Sequence, residues 1–94
     1  MVGQFVLSIA GRDKGKIYIV SEVLDDSYIL VTDGKTRKID KPKKKKIKHI
    51  KLLESQAADI GSVLNGGAVD NEQVMSWLAQ YKTDHAIDLK RFMR

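Results

Sequence analysis

Residues 41 to 51 read KPKKKKIKHIK: seven lysines and one histidine in eleven positions, with no acid among them. Ammonium groups at this density build a positive potential that draws in polyanions. The chemistry they suit is phosphate contact, which gives affinity without reading base identity. Ile47 and Ile50 interrupt the run, which ties the lysines to a folded strand rather than to a solvated loop. A second basic cluster is GRDKGK, Gly11 to Lys16, where Arg12, Lys14 and Lys16 surround a turn bracketed by glycines. A third is Lys35, Arg37 and Lys38, just after the Asp33-Gly34 pair. On charge, the candidate nucleic-acid-binding residues are therefore Arg12, Lys14, Lys16, Lys35, Arg37, Lys38, Lys41, Lys43, Lys44, Lys45, Lys46, Lys48, His49 and Lys51. A lysine run also fits a nuclear localisation tract, and the run alone does not separate the two readings.

The other reactive residue types form no catalytic set. There is no cysteine, so neither a disulfide nor a thiolate zinc site can form. His49 and His85 lack metal-ligand spacing, and no metal or cofactor is expected. Asp25 and Asp26 are adjacent, so their side chains diverge, and turn chemistry accounts for them better than an acid–base pair. No glycine-rich loop precedes a helix in the way a nucleotide site requires. An enzyme is not expected. Trp77 and Tyr81 share helical spacing with Val74 and Leu78, which marks a packing face. Tyr18 and Tyr28 fall in predicted strands, where either ring could face RNA.

The elements that must position these groups change character midway. FVLSIA at 5 to 10, KIYIVSEVL at 16 to 24 and YILVT at 28 to 32 are β-rich. DDS and DGK between and after them are turn signals. TRKID at 36 to 40 reads as a weak strand, and a last strand is predicted over 47 to 53. Pro42 cannot donate to a ladder and marks an edge or a connection. Strands at this spacing predict a small barrel or sandwich. Ile17 and Ile19 share one strand face, Tyr18 and Val20 the other, so a strongly curved sheet with a helix packed outside can bury both. From Ser55 the period becomes helical. Ser55 is expected to cap a helix from Gln56 through Leu64, and NGG at 65 to 67 to stop it. Asp70, with Gln73 three residues on, is expected to cap a second helix. DHAIDLKRFMR at 84 to 94 reads as a third short helix or a tail.

Charge follows the same division. Residues 1 to 53 hold 13 Lys or Arg against 6 Asp or Glu, and residues 54 to 94 hold 4 against 6. A basic binding half and a near-neutral helical half are expected, as units 1–53 and 54–94 of a 94-residue chain. MVGQFVLSIAGRDKG has no basic n-region or long apolar stretch, so no secretion signal is expected, and no run is long enough to span a membrane.

The GRDKGK turn resembles the central turn of the KOW motif, the short β-hairpin module of ribosomal and transcription-elongation proteins. The family's characteristic glycine matches Gly15, which the resemblance adds to the RNA-binding candidates because a turn without side-chain bulk can approach a sugar–phosphate backbone closely. From Gly11 to Leu53, through GKIYIVSEVLDDSYILV, the Asp33-Gly34 turn and KTRKIDKPKKKKIKHIKLL, the chain is similar to eukaryote- and archaea-type large-subunit ribosomal proteins with an SH3-like KOW barrel. It departs from many bacterial KOW motifs at Tyr18, where they carry a second glycine. The resemblance implies an α+β fold: an SH3-like β-barrel of about five strands, with two or three short C-terminal helices after it. It implies a cytoplasmic ribosomal or ribosome-associated protein that contacts structured rRNA through the basic turn and the lysine run. The alternative it leaves open is a protein-interaction module that meets ribosomal or transcription proteins through its helices.

Overall fold

The computed structural model describes residues 1–56 and 70–85. Five strands form one antiparallel sheet: β1 Gln4–Ser8, β2 Ile17–Val23, β3 Tyr28–Thr32, β4 Lys43–Lys46 and β5 Ile50–Gln56, in spatial order β4-β3-β2-β1-β5. One α-helix, α1 (Asn71–Asp84), completes an α+β architecture among the described residues. The β2–β3 register slips between Val20 and Glu22, and the β1–β5 register between Gln4 and Val6. Irregularities of this kind bend strands, and here they curl the sheet. A 3-10 turn, Ile47–His49, carries the chain from the β4 edge to the β5 edge. It is held on both sides: Ile47 N–H donates to Ser27 O and Ile9 N–H donates to His49 O, each at 2.9 Å.

The curl explains why β1 and the start of β2 are apolar at consecutive positions. Val6, Tyr18, Val20, Ile29, Val31 and Ile50 fill an inner layer, with Ile47 packed against it. Phe5, Leu7, Ile17, Ile19 and Leu53 line the opposite face and meet Val74, Leu78 and Tyr81 of α1. Both sides of one strand pair are thus buried, one by the curl and one by the helix. Phe5 and Tyr81 stack with ring centroids 4.4 Å apart. The helix begins as expected, with the Asp70 carboxylate accepting from Gln73 N–H at 2.8 Å. Its first turn is docked on the β3–β4 connection: the Asn71 side-chain oxygen accepts from Ile39 N–H at 2.8 Å, and a Cβ at Gly34 would collide with the Asn71 carbonyl oxygen.

Three expectations are corrected. Residues 36–40 form no strand, because the Asp33 carboxylate gathers them into a turn, accepting from Lys35 N–H, Arg37 N–H and the Thr36 hydroxyl. The fourth strand is instead the lysine run itself. The last strand starts at Ile50 and runs on through Ser55 and Gln56, so those two residues extend the ladder rather than open a helix. One α-helix is present among the described residues, not two or three; the remainder of the helix expected to Leu64, and the third expected beyond Asp84, lie outside the described residues.

Candidate nucleic-acid interface

In β4 successive side chains point to opposite sides. Lys44 and Lys46 are exposed. Lys43 and Lys45 lie opposite Val31 and Ile29 of the inner layer, and their ammonium groups converge on one carboxylate. Lys45 Nζ lies 2.6 Å from Asp13 Oδ1, and Lys43 Nζ 3.1 Å from Asp13 Oδ2. Lys45 Nζ also donates to the Ala10 carbonyl at 3.0 Å. The Ser8 hydroxyl donates to Asp13 Oδ1 at 2.8 Å and the Tyr18 hydroxyl to Oδ2 at 2.9 Å.

Burial alone would push the Asp13 carboxyl up. The hydrogen bonds from Lys45, Ser8, Lys43 and Tyr18 outweigh it and hold the group well below the usual carboxylate range. The same burial, with the neighbouring Asp13 charge, pushes the Tyr18 phenol up, so it stays protonated and donates. Asp13 therefore fastens the GRDKGK turn to the lysine strand and brings two of the predicted basic clusters together. Lys45, expected on the phosphate-facing surface, is instead 7% exposed with its charge neutralised inside. Tyr18, expected as a ring that could face RNA, is 1% exposed and belongs to the same buried network.

The turn has the backbone the glycines imply. Gly15 has φ of +93°, and a Cβ there would meet nothing within 4 Å. Gly15 is thus required by the left-handed conformation and not by crowding within the chain. Its N–H donates to Ser8 O at 2.8 Å, and Lys16 N–H donates to Asp13 O at 2.9 Å. Arg12 and Lys14 stand exposed on this turn. Lys16 turns toward the β3–β4 connection, where its Nζ lies 3.1 Å from Asp33 Oδ2 and 2.8 Å from the Thr36 hydroxyl. Burial would raise the Asp33 carboxyl, but hydrogen bonds from Thr36, Arg37, Lys35 and Lys16 keep it well below the usual range.

Lys35, Arg37, Lys38, Lys41, Lys48 and Lys51 are exposed, and His49 is half-buried. Between the turn and α1 runs a cleft of about 600 Å³, floored by Ile17, Met75, Leu78 and Ala79 and rimmed by Lys16, Lys35 and Lys82. The assembled surface is a set of ammonium groups carried on the sheet and its turns, with arginine sparse. That suits charge-based contact with a phosphate backbone better than bidentate base recognition.

No protein-family model matches the chain. Among curated proteins, the large ribosomal subunit protein eL14 of Pyrobaculum arsenaticum is 28% identical over 93 residues, covering 99% of this chain and 79% of the relative. That of Desulfurococcus amylolyticus is 28% identical over 87 residues, covering 93% and 85%. That of Staphylothermus marinus is 28% identical over 71 residues, covering 76% and 69%. The chain is similar along most of its length to eL14 ribosomal proteins.

The likeness to large-subunit ribosomal proteins read from Gly11–Leu53 therefore holds, and the first two eL14 alignments extend it into residues 54–94. That half carries no motif legible by itself. The apolar stripe of α1 is already occupied, because Val74, Leu78 and Tyr81 are buried against the sheet. Two contributors escaped the residue reading. Lys82 joins the basic rim only because α1 docks beside Gly15, a placement no local signal announces. Asp13 looks like a turn former, yet it is the acid that joins the basic turn to the lysine strand; the available signal was a single carboxylate set among Arg12, Lys14 and Lys16.

Proposed function

We propose that this chain is a structural, non-enzymatic RNA-binding protein of the large ribosomal subunit, resident on cytoplasmic ribosomes. It contacts structured rRNA through the exposed cations of the GRDKGK turn, the β3–β4 connection and the outward side of β4. The observation that carries this reading is the alternation in β4. Lys43 and Lys45 anchor the strand to Asp13, and Lys44 and Lys46 are presented to solvent on the frame so built. A solvated lysine run with no task would need no such anchor. The whole-length similarity to eL14 proteins supports the ribosomal setting. Phosphate contact positions the protein, and its strength rests on counterion release.

The test is sedimentation of a tagged chain through a sucrose gradient of cell extract. At low salt it should travel with large ribosomal subunits and be stripped from them by concentrated salt. Recovery only at the top of the gradient at every salt concentration contradicts the proposal.

A further inference from the structure

A second cleft, of about 440 Å³, opens at the β2–β3 turn and is lined by Asp26, Ser27, Tyr28, Lys46, Ile47 and Lys48. Its volume lies within the range of small-ligand sites. We propose that this cleft takes one unpaired guanine base from the bound RNA, which adds a base-specific contact to an otherwise phosphate-directed surface. The inference rests on the RNA-binding reading above.

Each wall has a distinct chemistry. Tyr28 and Ile47 are half-buried and supply an aromatic and an aliphatic surface. The site is rigid there, since Ile47 packs on the inner layer and its N–H donates to Ser27 O at 2.9 Å. Unstacked RNA bases are commonly held against aromatic side chains and read along their Watson–Crick edges. Lys46 and Lys48 flank the cleft, and Lys44 holds its ammonium 4.4 Å from the Tyr28 ring centroid without lining the cleft. A base seated against Tyr28 brings its own phosphates beside these three cations. An anionic strand is thus the occupant that the charges fit.

Asp26 selects the base. The turn is built by its neighbour: Asp25 Oδ1 accepts from Ser27 N–H at 2.7 Å and Tyr28 N–H at 2.8 Å. Asp26 is exposed and lines the cleft, and the hydrogen bonds that hold the turn do not use it. A carboxylate repels phosphate, so among lysines it weakens contact with the backbone. It is acceptor-only and can take two parallel N–H donors. Guanine presents such a pair on its Watson–Crick edge, an imino and an amino N–H side by side. Uracil presents one N–H between two carbonyls, and adenine and cytosine each present one amino group beside an acceptor nitrogen.

The experiment measures fluorescence anisotropy of the full chain with two labelled RNA hairpins at fixed salt. They are identical except that one loop position is guanosine or uridine among uridines. The guanosine hairpin should bind about tenfold more tightly. Tyr28→Ala should weaken the guanosine hairpin about tenfold, and Tyr28→Phe should retain parent binding. Asp26→Asn, at an exposed position outside the turn's hydrogen bonds, should bring the two hairpins to within about twofold. Thermal unfolding of each variant verifies the fold. Equal, salt-dependent binding of both hairpins that is insensitive to Asp26→Asn and to a folded Tyr28→Ala overturns the guanine site alone. Binding of neither hairpin at any salt overturns the RNA-binding reading and this one with it.

Discussion

Lys45 Nζ lies 2.6 Å from Asp13 Oδ1, with the two side chains 7% and 8% exposed. The pair joins β4 to the β1–β2 turn across the end of the curled sheet. One interaction therefore serves two purposes: it satisfies a carboxylate facing the inner layer, and it fixes the spacing between the basic turn and the lysine strand. A buried ion pair is not by itself a source of net stability, since both ions lose hydration. Removing one partner alone is costly, because it strands the other charge.

Asp13→Ala should accordingly destabilise the fold by about 3–5 kcal/mol. Lys45→Met removes one ammonium and leaves Asp13 with Lys43, so it should cost less than Asp13→Ala. Urea unfolding of the two variants measures both. A cost under about 1 kcal/mol for Asp13→Ala would mean that the network does not hold β4 to the turn.

Stability should fall in acid. Asp13 and Asp33 are both held below the ordinary carboxyl value of 3.8 in the folded chain. A depressed folded value means stabilisation is complete above the unfolded value and is lost as pH drops through the folded one. The unfolding temperature should therefore change little down to about pH 5 and decline below about pH 4. Asp33→Asn should lower it at neutral pH and reduce the acid slope. An unfolding temperature that rises on acidification, or is flat to about pH 2, contradicts this.

The two turn glycines should differ in cost. Gly15→Ala meets only backbone strain, of about 1–2 kcal/mol, because the space around it is open. Gly34→Ala adds to the same strain a collision with the Asn71 carbonyl oxygen and Met75 Cγ, and so pushes the helix off its seat. Thermal unfolding should rank Gly34→Ala well below Gly15→Ala, and equal values would show that α1 shifts without cost.

Leu78 and Trp77 test where the helix carries its packing energy. Leu78 is 4% exposed within the cluster, whereas Trp77 is half-buried and packs against the cluster's edge. Leu78→Ala should cost about 2–5 kcal/mol. Trp77→Ala should cost less than that, by denaturant titration, despite the larger side chain. A greater loss at Trp77 would place the indole in the core.

What was legible beforehand follows from range. The β2 alternation of Ile17 and Ile19 against Tyr18 and Val20, the positive φ of Gly15 and the Asp70 cap are encoded within a few residues, and each is found where local chemistry put it. Strand and turn chemistry likewise located β1 to β3. The lysine run misled at a finer level, because four like charges carry no hydrophobic alternation; which lysines face inward was settled by Asp13, some thirty residues away. The strand expected over 36–40 failed for a similar reason: Asp33 offers these residues more hydrogen bonds in a turn than an edge position would.

The most direct test of an RNA-binding surface built from outward lysines on an Asp13-anchored strand is a salt titration of RNA affinity. The comparison is between the parent chain and a Lys44→Gln, Lys46→Gln variant. With about five phosphates neutralised, the log–log slope of the parent should be near −3.5 for single strands and near −4.5 for duplex. The variant should unfold at the parent temperature, bind every RNA more weakly, and show a slope flatter by about 1.4 to 1.8. A parent affinity independent of salt, or a folded variant with the parent's affinity and slope, would contradict the account.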